Sequence, residues 1–290
     1  MGNIVLDGAI DLHCHYGPES IVTPAIGAPH SVDAMEAATD AAAVGFGAIV
    51  LKSHDFPSNA VAYTVGRAVP GVRVYGSVCC DFCIGGLNPE AVEVALRDGA
   101  AVVWLPTISS QQDIDNGIAA VMRLTGPGIR LLDDAGRLRP EVHEILDLVA
   151  EHDAVAATGH TSRAEHYALA DRFARRGRLV VTHAMNPGPG PHLSPDECAE
   201  LAARGAHIEL SAATCMGSDG PSVADVAEAI GKVGPEMVVL STDYGWTDKL
   251  PRPAAGLQSY VDALWAAGVA EGALRRMVCE NPARLLKLVG

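Results

Sequence analysis

The chain has 290 residues, of which 49% are hydrophobic, and it carries 21 basic against 35 acidic residues for a formal charge of −14. That balance argues against a nucleic-acid or anionic-membrane partner, since both require basic patches. The length admits one large α/β barrel of the usual ~250-residue class or two small domains.

The first element is an apolar run ending in "IDLHCHYGP" (10–18). Residues i and i+2 of a strand share a face, so His13 and His15 project together while Cys14 turns away. The preceding "MGNIVLDGAID" has no basic n-region and no long apolar core, so no secretory signal is expected. No run approaches the ~18 apolar residues of a membrane span. Seven cysteines without framework spacing point to a reducing cytoplasm. "CCDFC" (79–83) has no second pair at zinc-site spacing and reads as buried or loop thiols.

Seven further apolar runs follow: "GFGAIVLKS" (45–53), "GVRVYGSVCC" (71–80), "GAAVVWLP" (99–106), "AVAATGH" (154–160), "LVVTHAM" (179–185), "AHIELSA" (206–212) and "MVVLSTD" (237–243). Near-continuous apolar runs are the mark of parallel strands buried on both faces. Helix starts lie between them. Asn88-Pro89-Glu90 and Ser194-Pro195-Asp196-Glu197 each combine a cap, a first-turn proline and acids, and Ser162 and Ser222 are further caps. Ala-rich helices are expected over 33–44 and 222–232. "GIRLLDDAGRLRP" (128–140) reads as a small hairpin inserted before a helix at 141–152 and the fifth strand. Eight β-then-α units predict a single-domain (β/α)8 TIM barrel over 1–290; a doubly wound sheet is disfavoured because no GxGxxG follows the first strand.

In such a barrel the C-terminal ends of the strands meet at one mouth. Those ends carry His13 and His15, Lys52 with His54 just beyond, His160, His183, Glu209 and Asp243, while the fourth strand offers only Trp104, Pro106 and Thr107. Imidazoles and a carboxylate are suitable donors for a divalent metal. The other six histidines (30, 143, 152, 166, 192 and 207) read as surface or packing residues. Lys52 ends an apolar strand and needs a partner. It serves either as an anchor for a substrate anion or in an internal salt bridge to Glu209 or Asp81. His54 either lines the mouth or caps a loop. The loop 186–195 could cover the mouth, and 243–252 supplies Tyr244, Trp246, Lys249 and Arg252 as candidate substrate contacts.

Together, "DLHCH" on strand one, His160, His183, Asp243 and the C-terminal "CENPARLLKL" (279–288) resemble the amidohydrolase superfamily of metal-dependent hydrolases, in order over nearly the whole chain. "LKSH" and "TGHTS" are also similar to a poorly characterised amidohydrolase-like group. The resemblance implies a metal held by His13, His15, His160 and Asp243. It also implies that Asp243 shuttles the water's proton and that His183 stands beside the reacting water. The carboxylated lysine or glutamate that bridges two metals in many members has no counterpart in "VVWLPT", which favours the one-metal pattern. A second metal through His160 and His183, with Lys52 as a carboxylated bridge, stays open. Zinc is the expected ion, with manganese, iron or cobalt as alternatives. The expected activity is hydrolysis of an amide, cyclic amide or lactone in a small anionic substrate, with Lys52 in the catalytic set and Lys52, His54, Tyr244 and Trp246 as substrate contacts. The alternative is a non-oxidative decarboxylase, because "STDYG" and Lys52 are similar to one lyase branch of the superfamily. The third reading is non-enzymatic: a barrel that keeps a metal for stability, or a binding protein. The expected partner is a small molecule; homo-oligomerisation is left open.

Overall fold

The computed structural model describes residues 4–217 and 219–288. Eight parallel strands, β1 (Ile10–His15), β2 (Ala48–Lys52), β3 (Arg73–Cys79), β4 (Ala100–Trp104), β5 (Val155–Ala157), β6 (Arg178–Val181), β7 (His207–Ser211) and β8 (Val238–Ser241), form one sheet in the order β1 to β8. The sheet closes beyond the end of β8. There the Asp243 amide donates to the His13 carbonyl at 2.8 Å and the His15 amide donates to the Tyr244 carbonyl at 2.9 Å. The fold is therefore the (β/α)8 barrel that the eight alternating units predict.

Two apolar layers hold it. Alternate strand residues, among them Leu12, Val50, Cys79, Trp104 and Val239, fill the barrel interior. The intervening ones, such as Ile49, Leu51, Val103 and Ile208, pack outward against the helices. Helix starts follow the capping residues. Asp33, Ser162, Ser194 and Ser222 each close a capping box before helices 34–43, 163–173, 195–203 and 223–233, and the Asn88 side chain accepts from Ala91 N. The 128–140 insertion forms its turn through Asp133 and Gly136, with an antiparallel bridge between Leu132 and Leu138. No helix among the described residues is long and apolar enough to cross a membrane.

One irregularity in β1 sets the site. Opposite β2, Ile10 pairs with Ala48 and Asp11 with Ile49, but Cys14 pairs with Leu51 and His15 with Lys52. Leu12 and His13 thus share the place opposite Val50. This bulge reverses the alternation, so that His13 and His15 face inward with Leu12 while Cys14 packs outside.

Candidate metal centre

The strand ends bring four histidines, a lysine and an aspartate to one cavity of about 550 Å³; His15, Lys52, His54, His160, His183 and Asp243 all line it, with His13 buried behind them. Trp104, the bulky end of β4, is buried in the barrel core, its ring 4.6 Å from that of His13 and 4.8 Å from the Lys52 ammonium. Three of the sequence-predicted metal donors fall together: His13, His15 and Asp243 each offer a ligand atom within 4.8 Å of the others. Asp243 Oδ1 is 3.0 Å from His13 Nε2 and 3.3 Å from His15 Nε2. The fourth, His160, is not within that distance of the trio; its ring stacks obliquely on His183, 4.7 Å away.

His13, His15 and His160 are each oriented from behind by a buried carboxylate. His13 Nδ1 bonds Glu209 at 2.9 Å, His15 Nδ1 bonds Glu19 at 3.1 Å, and His160 Nδ1 bonds Asp113 at 2.6 Å. His54 follows the same pattern, its Nδ1 lying 2.7 Å from Thr107 Oγ1 and 3.3 Å from Asp81 Oδ2. A carboxylate on Nδ1 fixes the Nδ1–H tautomer and leaves the Nε2 lone pair free for a cation. At His160 that lone pair is buried and has no hydrogen-bond partner.

The electrostatics agree. Burial pushes the His160 and His183 imidazoliums down, each to about 3, so both are neutral donors. Burial would also lower His13, but the Asp243 carboxylate beside it prevails and holds it up at about 9. Burial works against ionising Glu209 and Asp243, yet His13 next to each keeps them charged, Glu209 at about 2 and Asp243 well below the carboxylate range. The cluster without an ion is a buried anionic well that draws in a proton. Its donor set, neutral imidazoles plus carboxylate with an orphaned Nε2, suits a divalent metal.

Glu209 organises four strands. Its Oε1 accepts from His13 Nδ1 and from Ser241 Oγ at 2.6 Å, and its Oε2 accepts from the His183 amide at 2.8 Å. Asp11 joins β1 to the end of β8 by accepting from the Thr242 and His13 amides, each at 3.1 Å. Two site residues adopt left-handed backbone, His183 at φ 24° and Asp243 at φ 56°. Non-glycine residues rarely do so, and such strain is held only where surrounding contacts over-determine it. Glycines complete the geometry. A Cβ on Gly245 would stand 1.8 Å from the His15 carbonyl oxygen, and one on Gly159 would stand 2.2 Å from that of Leu105.

Several expectations need correction. Lys52 makes no salt bridge to Glu209 or Asp81. Glu209 serves His13, and Asp81 accepts from the Thr107 and Ser109 amides at 3.0 Å as well as from the Thr107 hydroxyl. Lys52, 1% exposed, instead sets Nζ 2.9 Å from His13 Nε2. Tyr244 does not line the cavity; its ring is core, packed on Gly256, where a Cβ would meet it at 2.3 Å. Arg252 pairs with Asp40 at 2.6 Å on the outside. Trp246 does line the cavity, with Nε1 donating to the Asp243 carbonyl at 2.7 Å, and His54 lines it too. The loop 186–195 contributes Asn186 and Pro189 to the wall, and Gly190 N donates to Asp113 Oδ1 at 3.0 Å. Glu19 and Asp113 are site residues that the sequence pattern does not flag.

Comparison with solved structures finds the same barrel fold in several proteins. The chain is similar to the crystal structure of an amidohydrolase from Pseudomonas aeruginosa (12% identity, covering 97% of this chain and 96% of that one, TM-score 0.61). It is similar to a putative 2-pyrone-4,6-dicarboxylic acid hydrolase from Pseudomonas putida (16%, 97% and 97%, 0.60) and to 2,6-dihydroxybenzoate decarboxylase from Rhizobium (14%, 98% and 100%, 0.58). At these identities the likeness is one of fold. No curated protein sequence matches the chain. The chain belongs to the family described as "Family of unknown function (DUF6282)", whose model matches residues 8–209.

Proposed function

We propose that this chain is a metal-dependent hydrolase that cleaves a C–N or C–O bond (amide, cyclic amide or lactone) in a small substrate. The observation that carries the reading is the repeated carboxylate–histidine pairing at His13, His15 and His160, with each Nδ1 occupied from behind. His13, His15, His160 and Asp243 would hold one divalent ion, most simply zinc. Such an ion lowers the pKa of water to near ~7 and polarises a carbonyl.

The chain's own groups supply the rest. Asp243 is the partly open carboxylate of the cluster, its side chain 13% exposed. It accepts the proton of the attacking water and returns it to the leaving group, a contribution of typically ~10²–10⁴-fold. Trp246 Nε1 on its carbonyl and the bond from its amide to His13 hold it in its strained backbone. His183, neutral and beside His160, orients the water or steadies the developing oxyanion. His13 Nε2 faces Asp243 Oδ1 at 3.0 Å, and Lys52 Nζ lies 2.9 Å from the same nitrogen. Lys52 lines the cavity, where its ammonium would hold a substrate carboxylate. His54 lines the same wall.

The test is a screen of amides, cyclic amides and lactones with metal-replete protein, wild type beside Asp243→Asn. Turnover that falls at least ~100-fold in the variant is expected; equal turnover in both refutes the mechanism. A second reading, non-oxidative decarboxylation, is favoured by the buried Lys52 cation at the cluster. CO₂ release from small carboxylic acids without water incorporation would select it over hydrolysis.

A further inference from the structure

The cavity walls carry a signal that the catalytic groups leave unused. Helix Ile118–Val121 follows β4, and Met122 caps it. Ile118, Val121 and Met122 fall at i, i+3 and i+4, the spacing of one helix face, and all three line the cavity. None is buried; Val121 is 57% exposed. An apolar stripe normally covers core. This one faces open space beside the metal donors.

The other walls match it in character. Val22 lines the cavity from the segment after β1, and Trp246 and Leu250 line it from the segment after β8. The single donor of the Trp246 indole is spent on the Asp243 carbonyl, so its ring offers a ligand only apolar surface. Polar wall atoms are engaged locally as well: Asn186 Oδ1 accepts from Gly188 N at 2.9 Å, and Thr247 Oγ1 accepts from Lys249 N at 3.3 Å. Among the lining residues, charge and free imidazole nitrogen sit at the strand ends, at Lys52, Asp243 and the histidines, with Lys249 the further charged residue on the wall after β8.

We propose that the substrate has a bulky apolar body, aromatic or branched aliphatic, seated between the Ile118–Val121–Met122 stripe and Trp246. Its reacting end, bearing the anionic group, points at Lys52 and the histidines. This rests on the hydrolase reading for the identity of the reacting end. A sugar or a polar peptide would leave hydroxyls and amides unpaired against these walls, an unfavourable burial. A cavity of about 550 Å³ accommodates a ring with a short chain.

The experiment is calorimetric titration of the protein, purified without chelator, with acetate, isovalerate, benzoate and 3-phenylpropionate, and with glycerate as the polar control. The same series is run on an I118S/M122S double variant, whose changed side chains are outside the core and whose fold is checked by its melting temperature. Affinity is expected to rise with apolar size, roughly fourfold per buried methylene equivalent. The gain should shrink in the variant while acetate binding stays unchanged. Affinity that is flat across the series, highest for glycerate, or equally size-dependent in the variant overturns the proposal. Metal content, measured on the same sample, separates the two readings. A size preference without bound metal keeps this proposal and removes the hydrolase reading; bound metal without a size preference does the reverse.

Discussion

Asp113 Oδ2 takes the Nδ1 proton of His160 at 2.6 Å, and the opposite face of that imidazole, Nε2, is buried with nothing to bind. The same carboxylate accepts Gly190 N from the 186–195 loop through Oδ1. One side chain therefore aims a candidate ligand and fastens a cavity wall. Asp113→Asn keeps the shape but exchanges the carboxyl that positions His160 for an amide. Metal affinity, measured by chelator competition, is expected to fall ~10–100-fold with the circular dichroism spectrum unchanged.

Glu209 accepts three hydrogen bonds, from His13, Ser241 and the His183 amide, and donates none. Glu209→Gln turns an amide NH₂ toward one of those donors in a dry site. Chemical denaturation of the metal-free protein should show a loss of about 1–3 kcal/mol.

His166 supplies a pH dependence away from the metal donors. Its Nδ1–H donates to the Ser162 carbonyl at 3.0 Å, and its Nε2 faces the Thr158 hydroxyl at 2.9 Å, whose oxygen already accepts from the Thr182 amide. The neutral ring satisfies every partner. Burial pushes its pKa down to about 4, with the nearby His183, His160 and Arg163 adding to the fall against the Ser162 carbonyl's opposing pull. The unfolded chain protonates below about 6.5 and the folded one only below about 4, so this stabilisation is full above 6.5 and is lost as pH falls toward 4. Between pH 7 and pH 5, wild type should lose about 2 kcal/mol more than His166→Gln in urea titrations.

Lys52→Met retains the stem over Trp104 and removes the charge. Since the ammonium puts a positive charge 2.9 Å from His13 Nε2, metal affinity should be unchanged or higher without it. Binding of a carboxylate such as benzoate should weaken ~10–100-fold, the scale of a charge-assisted bond. Calorimetry with each species separates the two effects.

The barrel was legible because its signals are local. Apolar runs mark the strands, and serine, aspartate and asparagine caps followed by acids mark the helices; both survive folding unchanged. The strand-end donors were legible for the same reason, since strand ends converge in any such barrel. What spacing does not reveal is what depends on register and on contacts distant in sequence. The β1 bulge that aligns His13 with Leu12 is invisible in "IDLHCH". Asp113 comes from a short helix after β4, 47 positions from its histidine, and nothing in "SSQQDID" marks it. Tyr244 was assigned to the pocket by its neighbours Asp243 and Trp246, but closure of β8 on β1 rotates it into the core, where Gly256 leaves room for its ring.

The central claim is that these residues hold a metal. The direct measurement is elemental analysis of protein purified without chelator, for wild type beside His15→Ala and His160→Ala. About one equivalent of a divalent transition metal per chain, lost in both variants, is the expected result. No bound metal in wild type, even after incubation with zinc or manganese, would contradict the account.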